Sequence, residues 1–320
     1  MLKKMTTRKN SILLAFSLSL VLAGCGVSHP VDTNAGNASA SSVPGMDMTA
    51  KVDPNTATVK LPGDKFNISH REDGQITDAQ IVARAVCAKK LGIPFQAWGI
   101  GRSDAPEYAM FGELGPWTEE MANRFAYTGS QTIYDQVANG YMPEPKNFKP
   151  RKPRPELSVE QRDVLEKKCN GIEEVKYFES DRFYKSSPPA AYDLLFTELM
   201  QKKLPESSAY QAALKNLEQC YQEVGIRQEK KKDGNNTYTA IVGVDYSKVN
   251  EQQIALALKD VQCKTKVDFI NRVAQEAAKL QAPIIKKNLK EFTAWRKTVD
   301  ETLKKAEKYI AAHQDVILND

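Results

Sequence analysis

Histidine is nearly missing from this chain: His29, His70 and His313 are the three copies in 320 residues. Imidazole-based chemistry, whether a Ser/His or Cys/His machine or a His-rich metal centre, has little to draw on. His70 reads as a surface or capping residue. No GxSxG, HExxH, Walker A or GxGxxG string is present. Gly99-Ile100-Gly101-Arg102 opens like a dinucleotide loop but continues Ser103-Asp104-Ala105-Pro106, with no helix to receive a phosphate. Glu119-Glu120 and Glu173-Glu174 are paired carboxylates. Adjacent helical residues point about 100° apart, so neither pair converges on one substrate. No enzyme activity, metal or cofactor is expected. Charge of one sign is also lacking. The formal net charge is +5, but residues 1–24 hold Lys3, Lys4, Arg8 and Lys9 and no acid. The rest carries 41 basic and 40 acidic residues. So balanced a chain has no global reason to bind nucleic acid.

Long hydrophobic runs are short too. Ser11 to Val21 (SILLAFSLSLV) spans about eleven residues, where a membrane span needs about 20. Preceded by the basic residues and followed by Leu22-Ala23-Gly24-Cys25, it resembles a bacterial lipobox. The resemblance implies a signal peptide over 1–24, cut before Cys25, whose sulfur is diacylated. Two acyl chains hold a protein on a membrane where one does not. Residues 25–60 then read as a flexible tether. VDTNAGNASASSV is rich in Ala, Ser, Asn and Gly without a hydrophobic period. Met46 and Met48, with no His or Cys beside them, do not read as metal ligands.

With Cys25 acylated, Cys87, Cys169, Cys220 and Cys263 remain. An even count in an exported chain implies two disulfides. Three connectivities exist. Cys87–Cys169 with Cys220–Cys263 is favoured because each closes within its own half. No pair has zinc-site spacing. The halves echo each other: Cys87-Ala-Lys-Lys-Leu-Gly-Ile parallels Cys220-Tyr-Gln-Glu-Val-Gly-Ile. Each reads as a last helical turn whose glycine, Gly92 or Gly225, takes the left-handed capping position. Duplication and one capping solution used twice remain equally open.

The main domain spans 61–320. Thr77 reads as the cap of a helix to Leu91, and Trp117-Thr118-Glu119-Glu120 opens a short one. Residues 143–155, PEPKNFKPRKPRP, carry five prolines and five basic residues and read as a stiff, extended linker. Ser158 starts a helix toward Cys169. Pro188-Pro189 precede another through Tyr192, Leu195, Phe196 and Leu199, and Ser207 or Ser208 caps a third. Lys230 to Asn236 is a polar loop, and Tyr238 to Val244 a weak strand. From 250 to 315 helix formers dominate. Some 60 residues would make a rod on the order of 90 Å long. Pro283 should bend it, with a hairpin as the alternative. Phe292, Val299, Ala306 and His313 sit seven apart. Leu289, Arg296, Leu303, Ile310 and Ile317 form the companion set, with Arg296 as a charged break. Phe292, Val299, Leu303 and Ile310 are therefore the candidate partner-binding seam, for an envelope protein, a second copy, or the chain's own body.

Residues 95–141 hold nine of the chain's 26 aromatics. They can build a binding platform or a local core, and the core is favoured. VARAVCAKKLGI, EYAMFGELGPWTEEMANRFAYTG, NLEQCYQEVGI and ALKDVQCKTKVDFINRVAQEAAK resemble a group of actinobacterial lipoproteins, over roughly 75–130 and 210–300. Those proteins carry a Cys–Gly–aromatic turn, a tyrosine–glycine pattern, a second Cys pair and a long C-terminal helix. Met110-Phe111-Gly112 and Arg124-Phe125-Ala126-Tyr127 depart from the group's cleaner aromatic–Gly forms. The resemblance implies an exported, lipid-anchored, non-catalytic protein associated with ABC transporters or cell-wall components. The expected fold is mainly α: a helical, disulfide-stabilised extracytoplasmic domain with a long C-terminal helix. The expected role is an interaction protein of the cell envelope, held to membrane lipid through Cys25. The alternative is a solute-binding lipoprotein of an ABC importer.

Overall fold

The computed structural model describes residues 45–101, 106–108, 110, 114–148, 150, 152–184, 191, 193–229 and 240–318. Ser39–Asp320 is one compact unit on its own contacts. The expected signal peptide, Cys25 and tether residues up to 44 lie outside the described residues. So do Phe111, Pro188, Pro189, Tyr192 and the 230–236 loop.

The tether ends earlier than its composition suggests. Lys51–Asp53 (β1) pairs antiparallel with Thr58–Lys60 (β2), Val52 opposite Val59. The Asp53 carboxylate holds the turn by accepting the Asn55 N–H and the Thr56 hydroxyl, each at 2.9 Å. Met48, Ala50, Ala57, Val59 and Phe66 are buried. Three-residue strands around a polar turn leave too short a pattern to read in sequence.

Polar side chains set most helix starts. His70–Lys90 (α1) begins at Ser69, whose hydroxyl accepts the Glu72 N–H while the Glu72 carboxylate accepts the Ser69 N–H. The expected start at Thr77 is corrected by two turns, because Gly74 inside the helix hides its first stretch. His70 is exposed at the first helical position. Thr118 caps Glu119–Phe125 (α2), and Thr132 caps Ile133–Ala138 (α3). Ser158 caps Val159–Cys169 (α4) with a second capping box through Gln161. Glu173–Tyr177 (α5) and Asp181–Tyr184 (α6) follow. The stretch expected as an α-helix around Leu195 and Leu199 forms π-helical turns, Asp193–Thr197 and Leu199–Lys203. Ser207 caps Ser208–Glu223 (α7), and Asn250 caps Glu251–Lys266 (α8). Of the weak strand expected at 238–244, residues 238 and 239 lie outside the described residues, and the described remainder holds one bridge, Gln228 with Ile241.

The single rod expected over 250–315 is two helices. α8 ends at Lys266, Asp268 turns left-handed (φ 51°), and Phe269–Ala312 (α9) begins. Both helices are amphipathic and no glycine or proline marks the junction, so periodicity runs through it. Pro283 stays inside α9 and makes no hairpin. The backbone leaves helical geometry at Asn288 (φ −112°). There the Asn288 side-chain amide donates to the Ile284 carbonyl at 2.8 Å. The 44 residues of α9 run about 66 Å.

α9 is the spine. Ile270, Val273, Ala274, Ala277 and Ala278 join α2, α7 and α8 in the largest core. Ala282, Ile285 and Phe292 pack with Met48, Phe66 and Leu195. Val299 and Ala306 pack with Ile76, Ala79, Phe178 and Phe183. Gly63 shows how close the approach is. Its N–H donates to the buried Gln281 Oε1 at 2.8 Å, and an added Cβ would lie 2.8 Å from Leu195.

Cys87 is bonded to Cys169 and Cys220 to Cys263, the favoured pairing. The first ties α1 to α4 and the second α7 to α8. Both cysteine helices end alike. Gly92 (φ 69°) and Gly225 (φ 74°) are left-handed, and the N–H of Ile93 or Ile226 returns to the carbonyl of Ala88 or Tyr221 at 2.9 and 2.8 Å. Ile93 and Ile226 are then buried. By the chain-entropy argument each disulfide contributes about 4 kcal/mol. Non-reducing peptide mapping should recover the 87–169 and 220–263 pairs alone. Replacing Cys220 and Cys263 by alanine should lower unfolding stability by roughly 2–4 kcal/mol in chemical denaturation.

Candidate functional site

The candidate seam is largely spent inside the chain. Phe292 and Val299 are 1% and 0% exposed. Leu303 and Ile310 are half-buried, packed with α1 residues and Phe178 and Phe183. As a continuous partner-facing stripe the four residues are corrected: the periodicity was real, and its partner is α1 together with the 177–184 segment. Arg296, the charged break in the pattern, lies where α9 crosses the start of α1. Its guanidinium donates to both Glu72 oxygens, to the Asn67 carbonyl at 2.8 Å and to Asp300 at 2.9 Å. Burial pushes the Glu72 carboxyl up, but the Arg296 and Ser69 hydrogen bonds outweigh it and leave it below the ordinary carboxylate range.

The Ile310 end of the seam borders an open surface. A cleft of about 360 Å³ lies between the first turns of α1, the last turns of α9 and the turn at Ile100–Gly101. Arg71, Gln75 and Asp78 enter it from α1 at helical spacing, and Glu307, Ile310, Ala311 and Gln314 from the other side. The turn is held in place from behind. Ala97 donates to the Val316 carbonyl at 2.9 Å, and Leu318 donates to the Ala97 carbonyl at 2.7 Å. Gly101 then donates its N–H to Asp78 at 2.7 Å. Burial pushes Asp78 up despite that bond. Ile100, Ile310 and Ala311 give an apolar floor, rimmed by one guanidinium and two carboxylates. Such a surface can hold a small amphipathic ligand or the edge of a protein partner. It was not foreseen, because its sides are some 230 residues apart in sequence. Gly101 was noticed as part of a failed dinucleotide loop, and its N–H is taken by a carboxylate.

The aromatic concentration resolves mainly as core. Trp117, Phe125 and Tyr127 are buried, and Tyr108 meets Phe125 edge-on at 5.8 Å. The Pro/basic stretch at 143–155 contains no helix or strand among its described residues. Arg154 lies over the Trp98 ring at 3.2 Å, and Tyr134 stacks on Phe148 at 5.8 Å.

One polar cluster escaped the sequence reading. Asp260 and Lys264 form a fully buried ion pair at 2.9 Å. The Asp260 carboxylate accepts hydroxyls from Tyr221 at 2.6 Å and Tyr127 at 3.2 Å. The Lys264 ammonium also donates to the carbonyls of Leu114 and of Pro116, the latter at 2.8 Å. Burial pushes Asp260 up and Lys264 down, and each draws the other back. Its enclosure and complete partnering make it structural, since no substrate can reach it. Among the described residues no His, Cys, Asp or Glu cluster could hold a metal, and no helix is long and apolar enough to cross a membrane.

Comparison with known protein families, characterised proteins and solved structures finds no match to this chain.

Replacing Lys264 by methionine leaves a buried carboxylate without its cation. It should cost about 3–5 kcal/mol, and adding Asp260→Leu should recover part of that loss, as measured by denaturant unfolding. Glu72 titrates lower folded than unfolded. Its contribution is therefore present above the unfolded carboxylate pKa and lost as pH falls through the folded value. Between about pH 6 and pH 3 the wild-type Tm should fall more steeply than that of Glu72→Gln; parallel curves would show that Arg296 does not stabilise this carboxylate.

Proposed function

We propose that this chain is a lipid-anchored, extracytoplasmic interaction protein of the bacterial envelope, without catalytic activity. The observation that carries the reading is Leu22-Ala23-Gly24-Cys25, placed behind a basic and then apolar leader. Two disulfides inside the folded unit support an oxidising compartment. The resemblance to actinobacterial lipoproteins points the same way and names the partner class, an ABC transporter component or a cell-wall component. The partner meets the domain at the cleft beside Ile310, where the seam ends at the surface, rather than along the buried Phe292–Val299 stretch. The reading as an importer's solute-binding protein is less well supported. Such proteins fold around two α/β lobes, whereas β1–β2 is the one sheet among the described residues.

Metabolic labelling with an alkyne fatty acid should tag the wild type in the membrane fraction, and Cys25→Ala should carry no label. An unlabelled wild type would remove the anchoring. A photo-crosslinker at Gln314, which is exposed on the cleft rim, should capture one defined envelope protein. The exposed Arg71→Glu on the opposite rim should lower that capture at least ten-fold at unchanged Tm. Capture unchanged by Arg71→Glu would move the contact away from the cleft.

A further inference from the structure

The outer face of α9 carries a line of lysines. Lys279, Lys286, Lys290, Lys297, Lys304 and Lys308 follow one another at steps of seven or four residues, and all are exposed. At 3.6 residues per turn those steps keep Lys279 and Lys286 on one face before the kink at Asn288, and Lys290, Lys297, Lys304 and Lys308 within about 40° of one line after it. Lys287 and Lys305 flank it. Acids do little to neutralise it. Glu276 pairs with Lys279 at 3.6 Å, and Asp300 is engaged by Arg296. Glu301 is the exposed acid nearest the line. Because the chain outside the leader is almost neutral, this is a local concentration of charge and not a share of a general surplus. Ion pairing within the helix does not explain it either. Among the described residues no acid lies within salt-bridge distance of Lys286, Lys290, Lys297, Lys304 or Lys308.

A second observation concerns the level along the helix, not the face. Met46 and Met48 pack with Ala282, Ile285 and Phe292 on the buried side of α9, so the described chain starts near the middle of α9 along its axis. Between Cys25 and Gly45 lie twenty residue steps. That span reaches at most about 70 Å fully extended, and about 25 Å as a flexible coil. If Cys25 is acylated, a connection of that length keeps the domain within reach of the bilayer without itself setting which face meets it.

We propose that the lysine line of α9 lies on the anionic headgroups of the membrane to which the protein is anchored, setting the long helix parallel to the surface. The orientation rests on the lipid-anchor reading, but affinity for anionic lipid is a property of the helix face alone. The evenly spaced ammonium groups suit a planar array of phosphates, and each lysine brought to such a surface adds about five-fold in affinity. The contact is long-range electrostatics and is therefore screened by salt.

The test uses the mature chain from Gly26 without lipid, which retains the whole compact unit. It is sedimented with vesicles of phosphatidylcholine alone or with roughly 30% phosphatidylglycerol. Binding is expected to the anionic vesicles only, and to vanish between about 50 mM and 500 mM salt. Replacing Lys286, Lys290, Lys297, Lys304 and Lys308 by glutamine should weaken it at least a hundred-fold while the thermal unfolding midpoint holds. A circular dichroism melt checks this, and if it shifts, three-residue subsets of the same lysines should still weaken binding in graded fashion. No binding to anionic vesicles, equal binding to neutral ones, or an unweakened variant would overturn the proposal. Tight binding to soluble polyphosphate or nucleic acid without vesicle binding would reassign the line to a soluble polyanion. Failure of fatty-acid labelling at Cys25 would remove the anchor and leave the vesicle result standing, so the two readings fail separately.

Discussion

The buried ammonium of Lys264 is the constraint around which the larger core is arranged. A lysine without solvent is tolerable only if each donor finds an acceptor. Here the acceptors come from separate places: Asp260 one turn back on α8, and the carbonyls of Leu114 and Pro116 from the segment entering α2. Asp260 in turn needs its hydroxyl partners, Tyr221 from α7 and Tyr127 from just beyond α2. Satisfying one charge thus fixes the relative placement of residues 114–127, α7 and α8. The Cys220–Cys263 bond lies in the same layer, one residue from Tyr221 and from Lys264. The covalent link and the polar cluster restrain the same pair of helices. Hydrophobic residues could fill this space with equal or greater stability. What the ion pair adds is directional: it accepts one register of α8 against the 114–127 segment and penalises its neighbours.

Against that fixed end, α9 organises the rest by presenting different residues to successive partners. Its first turns are lined with Ala274, Ala277 and Ala278, which let α7 approach closely. Its middle uses Ile285 and Phe292 to cover Phe66 and Leu195. Its far end packs Val299 and Ala306 on α1. Arg296 interrupts this apolar sequence where the N-terminus of α1 arrives. The acid of that helix's capping box, Glu72, is there to meet it. Glu72 therefore serves two roles. It completes the start of α1 and docks that start on the spine, so the helix cap and the tertiary contact are one set of hydrogen bonds.

The sequence carried the local rules well and the long-range ones poorly. Ser158, Gly92 and Gly225 were legible, and Ser207 as one of two candidates with Ser208, because caps depend on residues within one turn of each other. The disulfide pairing followed from each bond closing within its own half of the chain. Ser69 was missed because Gly74 and the polar first turns of α1 blurred its period. The break at Asp268 was missed because a left-handed aspartate needs no glycine and both flanking helices continue the apolar stripe. Lys264 stood in a string of ordinary helical charges, KDVQCKTK. Nothing local separates a lysine bound for the core from one bound for water; the difference lies in carbonyls about 150 residues away. The cleft was invisible for the same reason, since Asp78 and Ile310 meet only after α1 folds onto α9.

This also explains why a repeating apolar stripe is a poor guide to a binding surface. The seam of α9 looked available because a helix pattern shows which face is apolar and not what covers it. In a chain with enough other helices, the strongest stripe is the one most needed internally, and Phe292 and Val299 are accordingly closed off. What remains outward on the same helix is charge, in a row of lysines on either side of the break at Asn288. The two regularities have a common origin: a helix that must keep one face buried along 44 residues leaves the opposite face equally continuous. The cost of placing lysines there is small, because exposed ammonium groups keep their water. A continuous charged face is thus permitted by the fold, while its composition is not dictated by it. Glutamate, glutamine or alternating charges would solvate the helix equally well. The choice of lysine at successive steps of seven and four is therefore information that the folding problem does not use.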